Sequence, residues 1–129
     1  MNLHNPFFEV IDFMKELRKR DIKTGIVTTK GKIFAEKILK QLNIFPELVF
    51  GYESGTKIKI AEKLTKTYEI LGFIEDRKNT LIDIKKNAGT SHIPCFLADW
   101  GYLKDSDRYN LSNEIRLLKL SNLEELVAI

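Results

Sequence analysis

Glu75 and Asp76 stand side by side directly after the apolar run Leu71-Gly72-Phe73-Ile74. Adjacent carboxylates at the end of a buried strand repel each other unless water or a cation lies between them. Mg²⁺ suits such a place, because it takes one or two carboxylates, keeps several waters and shares the phosphate oxygens of a substrate. The competing structural role is an Asx-type turn plus an exposed glutamate. Arg77, next in line, can pair with either carboxylate or with substrate. Upstream, Thr28 and Thr29 follow another apolar run and precede a helical pattern. There a hydroxyl and a backbone N–H can meet a phosphate oxygen, and the start of the helix adds partial positive charge. An ordinary helix cap uses the same residue types. Lys57, with Lys59 as its competitor, can neutralise a phosphoryl group as a point charge, whereas most lysines in a lysine-rich chain are simply solvated.

A nucleophile is harder to find. Cys95 lies in the apolar run Ile93-Pro94-Cys95-Phe96-Leu97 and reads as a buried small hydrophobe. Asp105-Ser106-Asp107 has the spacing of a paired-aspartate motif, but it follows Gly101-Tyr102-Leu103-Lys104 in a loop with no buried strand before it. Asp12 sits inside an amphipathic helical pattern.

These residues need elements to hold them. Phe7, Val10, Ile11, Met14 and Leu17 recur at helical spacing, so a helix is expected from about Pro6 to Arg20. Lys23 to Thr28 reads as a short buried strand. Phe34, Ala35, Ile38, Leu39 and Leu42 mark a helix from about Lys32 to Leu42, with Asn43 as a left-handed stop. Leu48 to Tyr52 is the next strand. Ile60, Ala61, Leu64 and Tyr68 define a third helix, and Ile70 to Ile74 a strand after it. Leu81, Ile84 and Ala88 give a fourth helix ending at Gly89, and Ile93 to Ala98 another strand. A loop is expected from Trp100 to Tyr109, a short edge strand from Arg116 to Leu120, and a final helix turn capped by Ser121 and Glu124. Helix and strand alternating at this spacing imply an α/β fold with a mainly parallel sheet flanked by helices. Ligands in such sheets bind outside the carboxyl ends of the strands, where Thr28-Thr29, Lys57, Glu75-Asp76 and Asp99 fall.

Composition sets the outer bounds. The 129 residues, 43% hydrophobic and 30% charged, suit one globular domain with a real core. The net charge of +3 is spread among interspersed opposite charges. It therefore speaks against a dedicated nucleic-acid or membrane surface. No stretch approaches the roughly 18 apolar residues of a membrane span, and the first residues lack the pattern of a signal peptide, so a cytoplasmic protein is expected.

Taken in order, these segments resemble the haloacid-dehalogenase-like (HAD-like) hydrolases, in particular the phosphoglycolate-phosphatase-like branch. Gly25-Ile26-Val27-Thr28-Thr29-Lys30 is similar to the family's second motif, Lys57 matches the lysine of its third, and Phe73-Ile74-Glu75-Asp76-Arg77 resembles its acidic fourth. Asn87-Ala88-Gly89 and Ala98-Asp99-Trp100-Gly101-Tyr102 sit where such proteins often carry an Ala-Gly helix end and a Trp-Gly-Tyr loop. The resemblance covers about Pro6 to Tyr102, and its strength lies in order and spacing. It implies a Rossmann-like fold and a Mg²⁺-dependent phosphatase acting through an aspartyl-phosphate. Thr28, Thr29 and Lys57 would hold the phosphate of a small phosphorylated substrate, or inorganic phosphate, and Glu75 and Asp76 the metal. The family's opening strand, which ends in the Asp-x-Asp nucleophile pair, has no counterpart here, so the chain is expected to be inactive alone. That strand is central in the family. Its loss implies two open sheet edges, and with them a homo-oligomer or a complementing N-terminal segment. The alternative is a non-catalytic phosphate- or metal-binding regulatory module. Phospho-receiver domains share this vocabulary but place the acidic pair before the threonine and lysine.

Overall fold

A computed structural model describes residues 6–101, 103–109 and 111–123. Helix α1 spans Pro6–Lys19, strand β1 Gly25–Val27, helix α2 Lys32–Gln41 and strand β2 Leu48–Phe50. Helix α3 follows at Lys57–Thr65, strand β3 at Phe73–Glu75, helix α4 at Lys78–Lys86, strand β4 at Cys95–Ala98 and strand β5 at Ile115–Leu118. Short 3-10 turns lie at Tyr52–Ser54, Asp105–Arg108 and Leu120–Asn122. Among the described residues no helix is long and apolar enough to cross a membrane.

Two compact units result, one running to Thr56 and resuming at Leu123, the other spanning Lys57–Asn122. In the first, α1 begins at Pro6, whose missing N–H is harmless in a first turn, and closes on Arg18 and Lys19 near its negative end. Asp21 stops it with φ 59°, as Asn43 stops α2 with φ 58°; Asn43 was the expected stop and Asp21 was not. Short polar side chains tolerate this left-handed backbone better than most. Strands β1 and β2 pair in parallel, from Gly25 opposite Leu48 to Val27 opposite Phe50.

In the second unit, β3, β4 and β5 form a parallel sheet in that order. All four residues of β4 are buried, as a strand covered on both faces requires. Leu81 and Ile84 of α4, Ala61 of α3, Ile93, Cys95, Leu97 and Ile115 make the core. Cys95 is a buried free thiol, and burial pushes its pKa up.

The α/β class, the helix–strand alternation and the parallel pairing are as expected, but the strands divide into two small all-parallel sheets instead of one. No described strand hydrogen-bonds to both β1 and β3, so each ends its own sheet. Several boundaries also move; Tyr68, for example, lies beyond the end of α3. The third strand lies at Phe73–Glu75 rather than Ile70 to Ile74, because its pairing begins where the Phe73 N–H meets the Pro94 carbonyl at 2.8 Å. Ile70 still packs on the core without joining the ladder. Helix α4 stops at Lys86, leaving Ala88 exposed beyond it. The buried Thr90 hydroxyl donates to the Ile84 carbonyl at 2.7 Å and so takes one of the last-turn acceptors. Strand β5 is the expected edge strand, one residue earlier at its start and two earlier at its end. The final helix turn is a 3-10 turn where it is described, with the Lys119 N–H donating to Asn122 Oδ1, and Glu124 lies outside the described residues.

Candidate functional site

Strand β3 delivers Glu75 and Asp76 to the carboxyl end of its sheet, and α3 opens on Lys57 in the same unit. A lysine at the start of a helix faces the positive end of the helix dipole, so it needs a carboxylate nearby. Glu75 supplies it: Lys57 Nζ donates to Glu75 Oε2 at 2.6 Å. The other oxygen, Oε1, accepts the N–H groups of Asp76 and Arg77 at 3.0 and 3.2 Å, just before α4 begins. The Glu75 side chain, 8% exposed, thus joins the ends of α3, β3 and α4 through one carboxylate. The adjacent acids need a cation, and the one in contact with Glu75 is the ammonium of Lys57. The glutamate expected to be exposed in the turn alternative is instead buried and itself accepts the turn N–H groups, while Asp76 is half-buried.

Among the described residues no three His, Cys, Asp or Glu side chains converge as a metal cage. Glu75 bonds Lys57 and two backbone donors; Asp76, which also has a bonding partner, is the adjoining carboxylate that could touch Mg²⁺. One carboxylate with retained waters is within the habit of that ion.

Asp76 is bounded by the loop after β4. A Cβ added to Gly101 would lie 2.3 Å from Asp76 Cβ and 2.9 Å from its Oδ2, so only glycine fits there. Asp99, which follows β4, is bound by Arg108: Nε reaches Asp99 Oδ1 at 2.5 Å, and Nη2 reaches the Asp99 carbonyl at 3.3 Å. The position after that strand was singled out in the sequence without a role. Arg108 was not, because nothing local in a loop signals which acid a distant guanidinium will find.

Thr28 and Thr29 lie in the first unit. The Thr28 N–H continues the sheet, donating to the Phe50 carbonyl at 2.9 Å, and its hydroxyl accepts the Lys30 N–H at 3.2 Å. Thr29 is exposed. Neither caps α2, whose N-cap is Gly31 with no side-chain hydrogen bond. Instead the first helical N–H, that of Lys32, donates to both carboxylate oxygens of Glu53, at 3.1 and 3.2 Å. Gly51 permits this approach, since a Cβ there would stand 2.4 Å from Lys32 N and 2.6 Å from Glu53 Oε1. The anion expected at the start of this helix is therefore the protein's own carboxylate. The sequence signal was an acid inside the turn Gly51-Tyr52-Glu53-Ser54-Gly55.

The Asp105-Ser106-Asp107 triplet forms a 3-10 turn, and the Asp105 side chain is 98% exposed, far from what a buried nucleophile requires. The chain matches no family model, no curated protein and no solved structure.

Proposed function

We propose that the second unit carries the Mg²⁺- and phosphate-handling half of a HAD-like phosphohydrolase site, in a Rossmann-like sheet, without the aspartate nucleophile that hydrolysis needs. The supporting observation is the Lys57–Glu75 ion pair of 2.6 Å at the carboxyl end of β3, with Asp76 adjoining it. An ammonium has three donors, and Glu75 engages one, so Lys57 retains the capacity to bind a phosphoryl oxygen. Glu75 orients that lysine. Asp76 is the residue that would hold Mg²⁺, and the ion, when bound, supplies charge neutralisation for a phosphoryl group. The ligand class is a small phosphorylated compound or inorganic phosphate.

The missing nucleophile bears on partners as well. Strand β1 pairs only with β2, and β3 only with β4, among the described residues. An open edge of this kind takes up a further strand readily. The proposal therefore extends to a second copy of the chain, or a complementing segment, adding a strand at one of these edges.

The alternative, a non-catalytic phosphate- or metal-binding module, finds the start of α2 in the first unit already occupied by Glu53. Phosphate at the start of α2 would have to displace Glu53 from the Lys32 N–H.

Calorimetric titration of the full chain with Mg²⁺ in the presence of phosphate tests the first function, with Asp76→Asn alongside and a phosphatase assay on both. Binding that Asp76→Asn abolishes, without turnover, is the expected outcome. Mg²⁺-dependent turnover would mean that a nucleophile is present after all. Absence of Mg²⁺ binding would sink the metal half-site.

A further inference from the structure

Strand β3 uses one of its two sides within the sheet. The Phe73 N–H donates to the Pro94 carbonyl at 2.8 Å, and Phe73, Ile74 and Glu75 stand opposite Cys95, Phe96 and Leu97 of β4. Backbone groups alternate in direction along a strand. Phe73 and Glu75 therefore turn theirs to β4, and Ile74 turns its N–H and C=O to the other side, where no described strand pairs. Ile74 is 40% exposed and Leu71 57%. The one charged residue of the strand, Glu75, is turned to Lys57. Natural sheets blunt their edges with charges and prolines. Strand β5 carries the exposed Arg116, β1 follows the exposed Lys23, and β2 follows Pro46. Between Leu71 and Ile74 there is neither a charge nor a proline.

A strand whose middle residue faces outward can pair with a copy of itself. In an antiparallel pair about a twofold axis, Ile74 stands opposite Ile74 of the second copy, and the two exchange both N–H···O=C bonds. Phe73 then falls opposite Glu75 of the second copy, Gly72 opposite Asp76, and Leu71 opposite Arg77. No like charges face each other in this register. A parallel pairing would set the carboxylates of the two copies side by side, which is unfavourable. Ile74 shares its sheet face with Phe96, its neighbour on β4. The joint thus brings a row of four apolar side chains together, two from each copy. The ladder is short, because the Asp76 N–H is already held by Glu75 Oε1.

We propose that two copies of this chain associate through β3, antiparallel across a twofold axis at Ile74, joining their three-stranded sheets into one. This rests on the reading that a further strand is taken up at an unpaired edge, and it assigns the edge, the partner and the register. A joint of this length buries little surface, and small interfaces are weak and transient. The dimer is therefore in equilibrium with the monomer and dissociates on dilution.

The test uses the full chain with Ile74→Lys and Ile74→Glu, each followed by sedimentation velocity across a wide concentration range. Residue 74 meets itself across the axis, so each variant alone sets like charges directly opposite and is expected to weaken the dimer by about tenfold or more. An equal mixture of the two sets a lysine against a glutamate and should restore association, with one chain of each kind in the dimer. Amide hydrogen exchange of the unaltered chain supplies a second reading that depends on no substitution. Exchange at Ile74 should slow as concentration rises, while that at Phe73, already bonded to Pro94, stays constant. Folded variants that dimerise as the parent does, or a mixture that regains nothing, overturn the β3 joint and leave strand uptake at another edge standing. Should the variants not fold, an Ile74 exchange rate independent of concentration overturns it equally. A parent chain that stays monomeric throughout overturns the joint and leaves a complementing segment as the only form of strand uptake.

Discussion

At the scale of the residue, two carboxylates repay different kinds of measurement. Partial burial pushes the Glu47 carboxyl up, but the Thr24 N–H and hydroxyl and the Arg18 guanidinium outweigh it and hold the pKa at about 2, against an ordinary 4.5. A folded pKa below the unfolded one means that folding favours the charged form. The resulting stability is complete above pH 4.5 and disappears as the pH falls through about 2. Allowing for solvent screening of a partly exposed pair, about 1 kcal/mol is at stake. Urea unfolding of the parent and Glu47→Gln should differ by that amount near neutral pH and converge near pH 2. A difference that persists undiminished in acid would show that Glu47 acts through packing instead. Glu75 answers to burial. Lys57→Ala leaves its carboxylate without a counter-charge, at an expected cost of roughly 2–3 kcal/mol, somewhat below that of breaking a fully buried pair. The double change Lys57→Met with Glu75→Gln should recover part of that loss, because a neutral amide needs no counter-charge and its oxygen can still accept the Asp76 and Arg77 N–H groups. A double variant less stable than Lys57→Ala would contradict this account.

At the scale of the element, the start of α2 depends on a contact made from outside the helix. Gly31 offers no side-chain cap, so the Lys32 N–H relies on Glu53, and Glu53 reaches it because Gly51 has no Cβ. Gly51→Ala would drive a methyl group into backbone atoms of Lys32 and Lys30, which cannot swing aside as a flexible side chain does. The expected destabilisation is about 1–3 kcal/mol, as for other overpacked sites, measured as a lower denaturant midpoint with an unchanged slope. An unaltered midpoint would mean that the turn at 51–54 moves freely. Helix α4 ends for a comparable reason. Its apolar spacing continues to Ala88, yet the Thr90 hydroxyl on the Ile84 carbonyl and Asn87 Nδ2 on Glu62 Oε1 at 2.5 Å draw the chain out of the helix. Periodicity marks where a helix can run, while such side-chain bonds decide where it stops.

At the scale of the whole molecule, the edges of β1 and β3 that no described strand pairs bear directly on association. Two short parallel sheets of two and three strands present more unpaired backbone than one five-stranded sheet would. Light scattering coupled to size exclusion, run across a wide concentration range, should therefore show a dimer or larger species that dissociates on dilution. Cooperative unfolding of a monomer at every concentration would remove the strand-uptake proposal without touching the Mg²⁺ half-site. Conversely, a stable oligomer that binds no Mg²⁺ would leave the edges as the functional feature and the ion pair of Lys57 and Glu75 as structure.

The sequence by itself determined the alternation of four helices with parallel strands, the left-handed stop at Asn43, the burial of Cys95 and the edge position of the last strand. Each of these follows from local periodicity, backbone preference or the apolar character of a short run, which neighbouring residues carry among themselves. Only the tertiary structure decided that the strands fall into two sheets, that β3 includes Glu75, and that Glu75 turns its carboxylate to Lys57. The same holds for Glu53 at the start of α2 and Arg108 on Asp99. Register and ion pairs depend on which distant groups the fold brings within about 3 Å, and no spacing along the chain encodes that distance.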